Sequence, residues 1–289
     1  MTTIDVRPMT ADDIDGVLAV VDAADAQAAR DAGREPEAST PEGQEQFRRG
    51  MERFVERDPD GAWVAVEDGT VVGMAESIRR DAFWGLSMLF VDPPHQSRGL
   101  GRRLLDRTLA YAEGSRVRMI MTSPDPRALR RYSRAGLAIH PAVEAEGVVD
   151  RAAIPADLPG RSGDVTDLDL VERVDRTLGR SRAEDVEHML KGGVALDVVD
   201  TGAGRGYALH RRNRVRLLGA TDERTAALLL WRCLAATDGK AQVWCMTAAQ
   251  DWAVRVALDA RLKVVGAGPL FVAGLDRPPG PWLPSGWYF

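Results

Sequence analysis

The chain has 289 residues, 45% of them hydrophobic, and its 38 basic and 43 acidic residues leave a net charge of −5. That length accommodates two domains with a core each, and a mildly acidic balance speaks against nucleic acid as a partner unless a local basic stripe overrides it. No apolar run reaches the ~18 residues of a membrane span, and residues 1–8 lack the basic segment and apolar stretch of a secretion signal, so a cytoplasmic protein away from membranes is expected.

In chain order, Ile4–Met9 alternates as a short strand. Thr10 then caps a helix with Asp12 and Asp13 in its first turn, where the helix dipole favours acid, and the helix runs to about Asp31. Gly33–Gly43, with two prolines, is a loop long enough for a lid, plain flexibility being the simpler reading. Helical spacing returns over Gln44–Arg57 through Phe47, Met51, Phe54 and Val55. Ala62–Val66 and Val71–Ile78 form a hairpin whose turn is signalled by Asp68-Gly69. A strand over Trp84–Val91 leads into a glycine-bearing loop, a helix to Gly114, a buried strand Val117–Thr122, a helix from Asp125 ending at Gly136, and a strand Leu137–His140. His210–Arg216, the one basic run, alternates around a strand and reads as a solvated face.

The segment from Leu89 to Tyr111 is the most informative. Gly99 and Gly101 let the backbone approach a ligand closely, and a helix starting there offers unpaired N–H groups and a positive dipole end. The dinucleotide pattern G-x-G-x-x-G and the Walker pattern G-x-x-x-x-G-K-[ST] both fail here, since the glycines are two apart and Arg102-Arg103 follows. The spacing Gln96, Gly99, Gly101 behind Val91-Asp92-Pro93 resembles the acetyl-CoA motif of the GCN5-related N-acetyltransferases (GNAT). A second signature of that family is matched by Asp125, Ala128, Tyr132, Gly136 and Leu137, with Asp125 where the family has Asn and Leu137 where it has Phe.

Ala152–Gly163 has the proline-rich composition of a linker, and beyond it the chain repeats. A gap-free overlay lays Leu104 on Leu229, Leu105 on Leu230, Met121 on Met246, Thr122 on Thr247, Ala128 on Ala253 and Leu137 on Leu262, through two helices and a strand. In the same overlay Gln96 falls on Thr221, Gly99 on Arg224, Gly101 on Ala226 and Tyr132 on Ala257, so the second copy is expected to be silent. The resemblance implies an α/β (α+β) protein of two tandem acyl-CoA N-acyltransferase folds, each a mixed, mostly antiparallel sheet flanked by helices. The expected division is 1–150 for the acetyl-CoA-binding domain, 151–163 for the linker and 164–289 for the degenerate domain with its aromatic, proline-rich tail.

As implied by the family, backbone at Leu89, Phe90 and Val91 holds the pantetheine arm and thioester. The loop Gln96, Ser97, Arg98, Gly99, Leu100, Gly101 and Arg102 holds the diphosphate, and Asp125 stands at the family's side-chain contact to pantetheine, where a carboxylate can accept but not donate. Tyr132 matches the general acid that protonates the departing thiolate. Ser87 stands where many relatives carry a glutamate base, which leaves Glu76, Asp81, His140 or a water relay. Phe83 and Trp84 are candidates for an acceptor pocket, core packing being the simpler reading.

The cosubstrate expected is acetyl-CoA and the acceptor a primary amine on a small molecule. A CoA-binding sensor without chemistry and a transferase of longer acyl groups are the alternatives, and homodimerisation stays open. No metal is expected: His95, His140, His188 and His210 are scattered, and Cys233 and Cys245 read as buried free thiols.

Overall fold

The computed structural model describes residues 4–36 and 38–289. Contacts gather the chain into two compact units, one of Met1–Arg79 with Trp84–Ser115 and the other of Arg80–Phe83 with Arg116–Phe289.

The first unit carries β1 (Asp5–Pro8), α1 (Ile14–Asp31), α2 (Pro41–Arg57), β2 (Ala62–Glu67), β3 (Thr70–Arg80), β4 (Phe83–Val91) and α3 (Leu100–Tyr111). Its strands run in the order β1-β2-β3-β4, with β1 antiparallel to β2 and β2 to β3. Asp68 and Gly69 take φ of 48° and 80°, as a two-residue hairpin turn of the primed type requires. Leu100 and Leu104, one helical turn apart, pack on Ala65, Val72 and Ala75 of the sheet and fix where α3 begins. Thr10 opens a 3₁₀ turn over Ala11–Asp13 before α1, and α2 starts at Pro41, earlier than its apolar spacing indicated, because Thr40 caps it and proline suits its first turn.

The second unit carries β5 (Val117–Met121), α4 (Pro126–Arg134), β6 (Ala138–Val148), β7 (Arg161–Gly163), α5 (Leu168–Thr177), α6 (Ala183–Lys191), β8 (Ala195–Thr201), β9 (Gly204–Arg211), β10 (Arg214–Ala220), α7 (Glu223–Ala235), β11 (Lys240–Thr247), α8 (Asp251–Asp259), β12 (Lys263–Ala273) and β13 (Trp282–Leu283). Its strand order is β5-β12-β6-β11-β10-β9-β8-β7, with β13 added to β10. All these pairs are antiparallel except β10 with β11.

The element order from β7 to β12 repeats that from β1 to β6. A shared local device marks the repeat independently of the apolar overlay. Arg7 grips both oxygens of Asp13 at 2.8 and 2.6 Å, and Asp13 closes a capping box with Thr10. Arg161 does the same to Asp167 at 2.8 and 2.5 Å, and Asp167 closes a box with Asp164.

The two copies exchange their last strands. β6 lies between β12 and β11, while β12 lies between β5 and β6. The compact units accordingly depart from the sequence division at residue 150, since a strand before that point is hydrogen-bonded on both sides to strands after it. β6 is also much longer than Leu137–His140, because Pro141, which reads as a terminator, falls beyond the last β11 pairing at Ala142 and beside a register shift in β12 between Ala267 and Leu270. Arg161–Gly163, within the expected linker, pairs with β8.

The tail is docked, with Trp282, Leu283, Tyr288 and Phe289 buried. The basic run is not a uniform solvated face, for Arg214 lies 4.2 Å over Trp244 and bonds Gln242. Among the described residues no helix is long and apolar enough to cross a membrane.

Candidate active site

In the first unit β4 delivers Leu89, Phe90 and Val91, all half-buried, into the loop of residues 92–99. The Gln96 side-chain amide donates to the Val91 carbonyl at 3.0 Å and folds the loop back on the strand that feeds it. His95 lies between two carboxylates, Nδ1 at 2.7 Å from Asp92 and Nε2 at 3.0 Å from Glu67, and so ties the loop to the end of β2. Sequence reasoning missed this clamp. Its one local signal was the three-residue spacing of Asp92 and His95.

Ser97 and Gly99 both have positive φ, 63° and 81°, and Gly99 is the N-cap of α3. No side chain caps that helix, and its first turn contains no acid. Ser97, Arg98, Gly99 and Arg102 are exposed, whereas Leu100 and Gly101 are buried. The result is an exposed helix start with its dipole unopposed and basic residues around it, which suits an anion. Arg102 pairs loosely with Asp106 at 3.6 Å, and Arg103 donates to the Ile4 carbonyl at 3.0 Å.

Tyr132 and Asp125 belong to the second unit. Tyr132 is 4% exposed, with its ring edge-on to Phe271 at 5.6 Å. Burial pushes its phenol up to about 12, against the opposing pull of Arg131 and a hydrogen bond with Thr122, so the group stays protonated at neutral pH. Asp125 is the N-cap of α4 and accepts from the Arg127 amide at 2.7 Å. Burial opposes its charge, but the Arg127 side chain and amide hold the carboxyl below its ordinary range.

Of the other residues singled out, Glu76 is fully buried on β3, His140 is half-buried on β6, and Asp81 is exposed at φ 53° between β3 and β4. Trp84 is fully buried, and Phe83 packs on Phe289 at 5.8 Å and beneath the Arg180 guanidinium. Phe83 and Trp84 are core residues of their respective units.

The counterpart in the second copy is built differently. Two residues separate β10 from α7, against eight between β4 and α3. The gap-free overlay therefore holds from the helix onward but not before it, and the loop that bears Gln96 in the first copy has no equivalent. Asp222 caps α7, accepting from the Thr225 amide and hydroxyl, both at 2.8 Å. Burial opposes that charge too, yet the bonds from Thr225 and Thr221 keep the carboxyl below its ordinary range. An anion of the protein itself thus occupies this helix start.

Beside it, β10 and β11 share one registered pair, Arg214 with Gln242, and the tail takes up the edge of β10 that is freed. Leu283 pairs with Leu218 and Trp282 with Gly219, while the Ala220 amide donates to the Pro281 carbonyl at 2.9 Å. Counted back from the strand ends, Leu218, Gly219 and Ala220 correspond to Leu89, Phe90 and Val91.

Residues 27–137 match the sequence profile described as the acetyltransferase (GNAT) family. Three solved structures share the fold over nearly the whole chain. A Pyrococcus horikoshii protein assigned to the acetyltransferases is 16% identical, covering 99% of this chain and 96% of its own at a TM-score of 0.77. A GCN5-related N-acetyltransferase from Sphaerobacter thermophilus is 17% identical over 95% and 98% at 0.60, and one from Kribbella flavida is 14% identical over 93% and 71% at 0.58. No curated protein matches the chain.

Proposed function

We propose, from the match of residues 27–137 to the acetyltransferase (GNAT) family, that the chain is an acetyl-CoA-dependent N-acetyltransferase acting on a primary amine of a small molecule. The observation that carries this reading is the uncapped, acid-free start of α3 behind the Gln96-braced loop, set against the same helix start in the second copy, where Asp222 fills the role of an anion. In this reading the loop Ser97–Arg102 binds the diphosphate through its backbone amides, and the β4 backbone at Leu89–Val91 holds the pantetheine arm. Acetyl-CoA, when bound, supplies the acetyl group as a thioester. Tyr132 holds a proton on its phenol oxygen and gives it to the leaving thiolate, a role supported by its place in the second family signature, between Ala128 and Gly136. Asp125, engaged by Arg127, shapes the start of α4. Since Ser87 stands where the family has a carboxylate, removal of the amine proton is left to Glu76, Asp81, His140 or a water relay.

The second copy, from β7 to the tail, serves as scaffold. Calorimetry with acetyl-CoA tests the donor half, one site per chain being expected; two equivalent sites, or none, would contradict it. Thiol release against a panel of primary amines tests the acceptor half. Binding without turnover on any amine would favour a CoA sensor, the reading that Ser87 supports.

A further inference from the structure

Folding brings together residues that the sequence leaves far apart. Asp197 on β8 pairs with Ala208 of β9, and Ala195 with His210, so Asp197 and His210 stand on one face of the sheet. α7 packs over β8 and β9 and brings Arg232 and Cys233 to them. One ligand atom from each of Asp197, His210 and Cys233 lies within 4.8 Å of the other two.

The donor set is already oriented. Arg232 donates through Nε and Nη2, at 3.0 and 2.6 Å, to Oδ1 of Asp197 alone. Oδ2 is left facing His210 Nε2 at 3.1 Å, a spacing two ligands of one metal ion can adopt. A cation on the far oxygen of a ligating carboxylate is an outer-shell arrangement that fixes its orientation. Asp197 and His210 also line a cavity of about 680 Å³ with Leu190, Val194, Leu196 and Arg232, which supplies an entry path and space for a further ligand.

We propose that Asp197, His210 and Cys233 form a zinc-binding site in the second copy, with three protein ligands and a fourth position open to the cavity. Sulfur, nitrogen and oxygen donors together suit a borderline-soft ion such as zinc rather than calcium or magnesium. Binding replaces the thiol proton of Cys233 by the metal, so one proton leaves for each ion bound. Arg232 already balances the charge of Asp197. This site is independent of the acetyl-transfer reading.

The test uses the untagged full chain, stripped with a chelator, loaded with zinc chloride and freed of excess by gel filtration. One zinc ion per chain is expected by elemental analysis, and cobalt in its place should show a thiolate-to-cobalt charge-transfer band. Cys233→Ala should abolish the band. His210→Asn, in the cavity wall, should weaken retention by at least the ~10-fold that loss of even an outer-shell partner costs, and it keeps the test available if Cys233→Ala fails to fold. Failure of the wild-type chain to retain metal overturns the proposal, as does zinc retention unchanged in a folded variant.

Discussion

Tyr132 is the residue whose environment says most about what it can do. Its neutral phenol is favoured by burial, and as a proton donor it should be replaceable for binding but not for rate. Tyr132→Phe is expected to leave acetyl-CoA affinity unchanged and to lower kcat by roughly 10- to 10³-fold, in the range a general acid supplies. A variant as fast as wild type in steady-state assays would mean that the tyrosine only packs. The same burial makes a pH statement. An unfolded tyrosine ionises near 10 and Tyr132 at about 12, so above the first value the unfolded chain binds fewer protons and stability falls as pH rises through the window between them. Tyr207 is shifted in the same direction. Denaturant titrations on either side of that window should show an alkaline loss that is smaller in Tyr132→Phe. Gly99 illustrates the other kind of residue constraint. A Cβ there meets nothing within 4 Å, but φ is +81°, so Gly99→Ala should cost about 1–2 kcal/mol in chemical denaturation through backbone strain alone.

The contrast between α3 and α7 is the clearest lesson among the elements. Both follow a strand and bury an apolar face, yet one begins at a glycine with free donors and the other at an aspartate that satisfies them. Asp222→Ala should therefore destabilise the fold by about 0.5–2 kcal/mol, the ordinary worth of a helix cap. An unchanged melting curve would show that α7 does not depend on its cap. At α3, Gly101→Val puts a branched side chain at a buried position in the first turn of the helix and is expected to abolish acetyl-CoA binding by calorimetry; unchanged affinity in a variant whose circular dichroism matches wild type would place the anion elsewhere. Hairpins and helices were legible because Asp-Gly turns and apolar spacing act locally, although the Thr40-Pro41 start of α2 went unread. β6 was not, since a proline inside a central strand is tolerated only where its neighbours end or shift register, and those neighbours come from the far side of the chain.

At the scale of the molecule, the exchanged strands and the docked tail explain why the second copy persists without the glycine loop. Its β6 partner is borrowed, and its splayed strands are closed by Trp282 and Leu283 rather than by a ligand. Deleting residues 282–289 removes four buried hydrophobic side chains and the β13 pairing, so a marked fall in melting temperature is expected. A truncated chain that melts with wild type would show the tail to be dispensable packing.

By itself the sequence determined the glycine-opened helix, Tyr132 in its motif and the repeat, because each depends on residue types at fixed short spacings. Tertiary structure alone decided which strand neighbours which, how the tail fills the second cleft, and the meeting of Asp197, His210 and Cys233. The physical reason is common to all three. Pairing across a sheet and packing of a helix on it join residues whose separation along the chain carries no trace of their proximity, so a metal-type donor set that no spacing announces is assembled from two strands and a helix.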